Sequence, residues 1–171
     1  LERRVDHVLE ALSDYADPLD GIGTNHAALL EIMGACGIAM AVSNEVVIAG
    51  EGPDLDGISH IDTWFMNEFK ETIFCCDRLA GLLPDQTMAF SAVSGVMAIK
   101  ARSPRSGWVR LYWFRQAETQ EVAWAGNPNK PAAENPSAVA LSPRRSFERW
   151  VEIRNGSSRT WSNEDRIVAS R

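Results

Sequence analysis

The sequence has 171 residues, of which 45% are hydrophobic and 23% are charged, a composition typical of one globular domain. Its formal net charge of -6 argues against a nucleic-acid-binding surface, because phosphate neutralisation requires a clustered surplus of Lys and Arg. The sequence has no apolar run of the roughly 20 residues that span a bilayer and no signal-peptide core, which predicts a cytoplasmic protein.

The predicted elements begin with a helix over residues 1–17. Apolar residues recur there at spacings of four and three from Leu1 to Tyr15, and Asp17-Pro18 is predicted to end the helix. No capping residue precedes Leu1, so the helix is expected to continue upstream in a longer protein. The pattern fits a coiled-coil dimer seam or a helix packed on the domain's own core, and two heptads do not separate these alternatives.

A second helix is predicted between Thr24, a plausible N-cap, and Gly34. A third is predicted near residues 58–69, where apolar residues repeat every four positions. Short runs rich in β-branched residues predict strands at 38–42, 46–49, 72–76, 88–93, 96–101 and 109–114. Ser43-Asn44 is the predicted turn of a hairpin. This order predicts an α+β fold, with an antiparallel sheet covered by helices on one face.

The three cysteines, Cys36, Cys75 and Cys76, have neither the even count of a disulfide framework nor the spacing of a metal site. On a strand, the adjacent Cys75 and Cys76 would face opposite sides of the sheet. We expect all three to be reduced packing residues.

The stretch from Trp108 to Trp161 holds five of the six tryptophans and changes its period partway. Residues 119–124 have the period-2 features of a strand. From Ser142 the pattern is helical, with Ser142 as a cap, Pro143 at the first position, and Phe147, Trp150 and Val151 on one face. A last helix is predicted from Ser162, with Asp165 as its capping-box partner.

Catalytic signatures are weak in this sequence. His7, His26 and His60 lie far apart and form no known metal or catalytic spacing, and Gly21-Ile22-Gly23 follows a helix and lacks the third glycine of a dinucleotide fingerprint. A hard-metal cluster is conceivable at Glu51, Asp54, Asp56 and Asp62. An acidic helix start is the simpler interpretation, because the helix dipole favours negative charge there.

Several motifs stand in a characteristic order: Trp124-Ala125-Gly126, Pro143-Arg144-Arg145-Ser146-Phe147, Trp150-Val151-Glu152 and then Trp161. Cys36-Gly37, Gly50-Glu51-Gly52-Pro53, Ser94-Gly95 and Trp113-Phe114-Arg115 accompany them. As an ordered set they resemble the PHY domain of bacterial, biliverdin-binding phytochromes, over essentially the whole chain. The sequence departs from that family at Gln116-Ala117, where Pro-Glu is usual.

The resemblance implies a single PHY domain over residues 1–171, with a GAF-like α+β fold of five to six antiparallel strands flanked by helices. Residues 1–17 would arrive from a GAF domain as a long connecting helix, and residues 162–171 would begin the output helix. Residues 116–160 would form a long hairpin extension, which the family calls the tongue. The resemblance also implies that the PAS and GAF domains of the full-length protein hold biliverdin and that this chain binds no cofactor.

By the same resemblance, the tongue seals the bilin pocket of the adjacent GAF domain and refolds between a β-hairpin and a helix. Light signals would thereby reach a C-terminal histidine kinase, in a homodimer. The implied pocket-sealing residues are Pro143, Arg144, Ser146 and Phe147, with Arg144 and Ser146 as alternative partners of one GAF aspartate. The implied switching and docking residues are Trp124, Ala125, Gly126, Trp150, Glu152 and Trp161, with Trp124 and Trp161 expected to exchange places.

Two alternatives remain open on the residues alone. Arg144 could form a solvated i,i+4 pair with Glu148 instead of reaching a pocket carboxylate. The chain could also be a stand-alone GAF-like domain that binds a small ligand, such as a cyclic nucleotide, in its own cavity.

Overall fold

The computed structural model describes residues 16–83, 93–118, 120–125, 149–154 and 156–171, with the backbone alone described at 120–125 and 149–154. Two compact units are present. The main body extends to Glu118 and resumes at Gly156, and the two-stranded unit is Thr119–Asn155. Residues 1–15 of the helix predicted over 1–17 and residues 88–92 of the strand predicted over 88–93 lie outside the described residues.

The main body contains helices and strands, and the two-stranded unit is inserted before its last described helix. In chain order they are α1 (Pro18–Met33), β1 (Gly37–Val42), β2 (Glu45–Gly50), α2 (Leu55–Asn67), β3 (Ile73–Cys76), α3 (Leu79–Leu82), β4 (Gly95–Ser103), β5 (Gly107–Arg115), β6 (Gln120–Ala125), β7 (Arg149–Arg154) and α4 (Asn163–Ala169). The predicted α+β class is confirmed.

The main body is built on a five-stranded sheet with the order β2-β1-β5-β4-β3, in which all the pairings are antiparallel. The predicted hairpin at Ser43-Asn44 joins β1 to β2, and Ser43 adopts a left-handed φ of 52° in that turn. All six residues of β1 are buried, so both faces of this strand are covered.

Helices cover both faces of the sheet, as the resemblance implies, whereas the order of the predicted elements had suggested cover on one face. On one face, α1 and α4 pack with Ile38, Met40 and Val42 of β1. On the other face, α2 and α3 pack with Ala39 and Ala41. The sequence of β1 carries the signal for this arrangement, because a strand that is apolar on both sides has no face suited to solvent.

The start of α1 also differs from the prediction. Asp17 is the N-cap, its carboxylate accepts the Leu19 N–H at 3.0 Å, and Pro18 occupies the first helical position. Thr24 lies inside the helix, where its hydroxyl donates to Asp20 O. An Asp-Pro pair can begin a helix as well as end one, because proline at the first position gives up no intrahelical hydrogen bond. The predicted end at Gly34 is confirmed, with Gly34 in the left-handed region.

Within the two-stranded unit, β6 pairs with β7 in an antiparallel register that places Trp124 opposite Trp150. The strand predicted at 119–124 is therefore confirmed as β6. The helix predicted from Ser142 is wrong for residues 149–154, which form β7. Pairing with β6 overrides the local helical pattern there. Residues 142–148 lie outside the described residues.

Candidate functional site at the root of the two-stranded unit

The chain leaves the main body after Glu118 and returns at Gly156. We call the segment that ends at Glu118 the outgoing leg and residues 156–160 the returning leg, and a hydrogen bond joins the two legs within the main body. The Glu118 N–H donates to Ser157 O at 2.8 Å, and the Ser158 N–H donates to Asp77 O at 2.8 Å. Ser158 is buried against Gly95, where a Cβ would lie only 2.0 Å from Ser158 Oγ. Gly95 therefore permits a close approach that a larger residue would block.

Arg115, the last residue of β5, attaches this root to the end of α1. Its Nε donates to Gly34 O at 3.1 Å and its Nη2 donates to Met33 O at 2.5 Å. These carbonyls belong to the C-terminal end of α1, where a cation is favoured by the helix dipole. The Arg115 side chain is only 4% exposed, so these carbonyl oxygens replace the water molecules that would otherwise solvate its guanidinium.

The same guanidinium reaches the returning leg and α4. Its Nη1 donates to Arg159 O at 3.5 Å and to Thr160 O at 3.2 Å, and its Nη2 lies 3.2 Å from Asp165 Oδ2. Burial lowers the pKa of Arg115, and the Asp165 carboxylate opposes that shift. Asp165 is also the predicted capping-box residue, and its Oδ2 accepts the Ser162 N–H at 2.8 Å.

Trp161 completes the contact. The Arg115 Cζ lies 3.6 Å from the centroid of the Trp161 ring, a cation–π arrangement. The indole Nε1 donates to Cys76 O at 3.3 Å, and the side chain is 5% exposed. We call the contacts of Arg115 with α1, the returning leg, Asp165 and Trp161 the Arg115 clamp.

A cleft of about 290 Å³ opens beside the clamp. It is lined by Gly34, Ala35, Cys36, Arg115, Gln116, Ala117, Glu118 and Arg159. The lining mixes both charge signs and main-chain atoms. It has the character of a solvated seam between the legs and α1 rather than of an apolar ligand pocket.

The family model of the phytochrome region, PHY, matches residues 1–171. The chain belongs to the phytochrome PHY family. A phytochrome-like protein of Synechocystis is 29% identical over 158 residues, which are 91% of this chain and 21% of that protein. This PHY chain therefore spans about a fifth of the length of that curated relative.

Solved phytochrome structures resemble this PHY chain over nearly its whole length. The crystal structure of a bacteriophytochrome from the photosynthetic bacterium R. palustris has a TM-score of 0.75 and 28% identity, over 99% of this chain and 34% of that one. The photosensory core module of a Stigmatella aurantiaca phytochrome has a TM-score of 0.72 and 30% identity, over 99% of this chain and 33% of that one. The expected GAF-like α+β fold of a PHY domain is thereby confirmed.

The sequence-predicted site residues of this PHY chain fall into three groups. Trp124 and Ala125 lie on β6, and Trp150 and Glu152 lie on β7. The residues outside the described ranges are Gly126, Pro143, Arg144, Ser146 and Phe147. Trp161, one of the expected switching and docking residues, lies in the core of the main body. The register places Trp150 opposite Trp124. The expected exchange of places between Trp124 and Trp161 stays a prediction.

The role of Arg115 was missed by sequence reasoning, which noted it only as part of a motif. One signal was available. Arg115 follows Val109, Leu111 and Trp113 at a spacing of two, and this places it on the buried face of a strand. A charged residue in that position needs several acceptors, and these come from segments distant in sequence.

The acidic residues near α2 have structural partners. Asp54 caps α2 by accepting the Gly57 N–H at 2.8 Å, and Asp56 lies in the first turn, as the simpler interpretation predicted. Asp62 instead pairs with Arg110. Within the described ranges, no group of three His, Cys, Asp or Glu residues is placed to hold a metal, and no helix is long and apolar enough to cross a membrane.

Proposed function

We propose that this PHY chain is the signal-relay domain of a red/far-red photoreceptor. Its tongue, residues 116–160, seals the bilin pocket of an adjacent GAF domain and refolds between a β-hairpin and a helix. The refolding relays the light signal through α4 to a C-terminal output domain, a histidine kinase. Biliverdin is held by the PAS and GAF part of the same full-length protein, which acts as a homodimer in the cytoplasm.

The observation that carries this proposal is the conflict between sequence and structure at β7. The sequence of residues 142–153 carries the signals of a helix, namely a capping residue type, a following proline and helical spacing of apolar residues, yet residues 149–154 pair as a strand. Because the local preference opposes the paired conformation, we propose that a helical arrangement lies within a few kcal/mol of the paired one. A ligand contact of a few kcal/mol is then enough to select between them.

The cysteines support a chromophore site outside this chain. Burial raises the pKa of the Cys36 and Cys76 thiols, which disfavours the thiolate that covalent attachment needs. The Cys36 thiol donates to Phe114 O at 3.3 Å. Cys75 lies on β3 with its Sγ 2.7 Å from Arg166 Nη2. We expect that adding biliverdin to this chain gives no red-shifted covalent adduct, and a stable adduct would contradict the assignment.

The pocket-sealing role is tested by Arg144→Ala in the full-length photoreceptor, with the adjacent Arg145→Ala as the matched control. Arg144 is proposed to pair with a GAF aspartate, so its loss should destabilise the far-red-absorbing or the red-absorbing state and change dark reversion several-fold. The Arg145 variant should keep wild-type kinetics. Identical dark reversion and photoconversion in the Arg144 variant and the wild type would refute pocket sealing.

The refolding is tested by amide hydrogen exchange at residues 120–125 and 149–154 in both photostates. In one state, both strands should be protected by their mutual hydrogen bonds. In the other, residues 149–154 should stay protected as a helix while residues 120–125 lose their partner. Equal protection of both strands in the two states would contradict refolding and leave pocket sealing to be judged by the Arg144 variant.

A further inference from the structure

We infer that the Arg115 clamp is the coupling element that transmits the state of the tongue to α4, an inference that rests on the proposed function. The clamp joins three parts of the main body that are far apart in sequence. These are the end of α1, the returning leg of the tongue and the first turn of α4.

The returning leg leads directly into α4. Residues 157–160 are followed by Trp161 and the N-cap Ser162, and α4 begins at Asn163. No other element lies between them. A displacement of this leg must either break the hydrogen bonds from Arg115 to the carbonyls of Arg159 and Thr160 or move α4 with it.

The clamp is built to respond as a unit rather than gradually. Arg115 is 3% exposed, and one carboxylate oxygen, Asp165 Oδ2, accepts from both Arg115 and the Ser162 N–H. Losing several acceptors at once leaves a buried charge with incomplete solvation, which is unfavourable. The guanidinium therefore favours two states over intermediate ones. In one it is hydrogen-bonded to all three segments, and in the other it is released toward solvent.

A purely structural role is the competing explanation, and β5 provides a control for it. Arg110 is a second buried arginine on the same strand, 7% exposed, and its partners are Asp62 on α2 and the carbonyls of Ser43 and Trp108. None of these partners belongs to a leg of the tongue or to α4. Replacing either arginine weakens the sheet packing, but only Arg115 touches the route from the tongue to α4.

The test compares Arg115→Lys and Arg110→Lys in the full-length photoreceptor carrying its chromophore. Lysine keeps the charge but cannot hold the several acceptors that the guanidinium fork holds. Three readouts are taken: photoconversion spectra, and the light–dark difference in amide exchange at residues 119–155 and at residues 163–169. In Arg115→Lys we expect the first two to be retained and the third to fall by about fivefold or more, the scale of an allosteric coupling.

The control should behave differently. Arg110→Lys should lower the denaturation midpoint but keep the wild-type light–dark difference at α4. If Arg115→Lys keeps that difference as well, or if both variants lose it equally, the clamp is not the coupling element. If the wild type itself has no light–dark difference at residues 119–155, the proposed refolding fails, and the coupling inference fails with it.

A second variant covers the case in which Arg115→Lys does not fold. Asp165→Asn weakens the connection to α4 but leaves the backbone acceptors of Arg115 in place. We expect normal photoconversion and a smaller light–dark exchange difference at α4, by about twofold to fivefold. An unchanged difference in this variant would overturn the assignment of Asp165 to the clamp and with it the link from Arg115 to α4.

Discussion

The two ends of β5 each bury an arginine, and their surroundings differ in kind. Arg110 forms a bidentate pair with Asp62, with Nε and Nη2 each 2.8 Å from a carboxylate oxygen, and the Tyr112 hydroxyl donates to the same carboxylate. Arg115 instead relies mainly on backbone carbonyls and on one carboxylate contact of 3.2 Å. The hydrogen bond with Asp62 raises the pKa of Arg110, whereas burial lowers the pKa of Arg115.

This difference separates a contact that holds the fold from one that depends on the position of other segments. The Arg110 pair is neutral and directly compensated, so it stays intact while α2 and β5 stay packed. The Arg115 clamp exists only while three segments present their oxygens together. The first arrangement gives stability and the second is sensitive to conformation.

The largest expected effect comes from Asp62→Ala at the Arg110 end. Removing the carboxylate leaves a buried guanidinium and the Tyr112 hydroxyl without their shared acceptor. We expect the free energy of unfolding to fall by about 3 kcal/mol. Urea denaturation measures this free energy. If Asp62→Ala lowers it less than Asp165→Ala does, the claim that the Arg110 pair contributes more to stability is wrong.

A smaller loss is expected from Gly95→Ala at the Arg115 end. The new Cβ would meet Ser158 Oγ at 2.0 Å and Ser158 Cβ at 2.8 Å, so the returning leg must shift, at a cost of about 2 kcal/mol. Adding Ser158→Gly should recover part of the loss. Gly23→Ala is the control, because a Cβ there meets nothing within 4 Å and alanine favours the helix. No recovery in the double variant would contradict the close-approach explanation.

Asp165→Ala is expected to cost about 1 kcal/mol, less than Asp62→Ala. The substitution removes one acceptor of Arg115 and the hydrogen bond from the Ser162 N–H to the Asp165 carboxylate, but the carbonyl acceptors of Arg115 remain. Chemical denaturation compares the two alanine variants directly. Equal losses at both ends would show that the carbonyls contribute little to holding Arg115.

The smallest effect is an alkaline pH dependence at the Arg110 end. Burial raises the pKa of Tyr112, so above pH 10 the unfolded state releases a proton that the folded state keeps. Stability is therefore full below that pH and falls as the pH rises, by about 0.8 kcal/mol at about pH 10.5. Tyr112→Phe should remove this part of the slope. The part that begins near pH 9, from Cys36 and Cys76, should remain.

Local signals predicted much of the fold correctly. The hairpin at Ser43-Asn44, the end of α1 at Gly34 and the capping box of Ser162 and Asp165 depend on residues within a few positions of each other. The start of α1 was missed because Asp17-Pro18 fits both the end of one helix and the beginning of another. The family was predicted from ordered motifs and is confirmed over the whole chain.

The parts that sequence analysis could not predict depend on contacts between distant residues. β7 forms because residues 120–125 pair with it, although its own sequence favours a helix. Trp161 is drawn into the body by Arg115 and by Cys76 O, which lie 46 and 85 positions earlier. Such pairings leave no periodic trace in the sequence. The candidate residues at 143–147 stay predictions.

The adjacent thiols of Cys75 and Cys76 point to opposite sides of the sheet. Cys75 packs with the α1 and α4 core, and its Sγ contacts Arg166 of α4, whereas Cys76 packs with the α2 and α3 core. Two adjacent thiols therefore report on the exposure of opposite faces of the sheet. A thiol reagent applied under illumination would label Cys75 preferentially if α4 lifts away and Cys76 if α2 does, so mass spectrometry of a single peptide could record which side of the molecule opens.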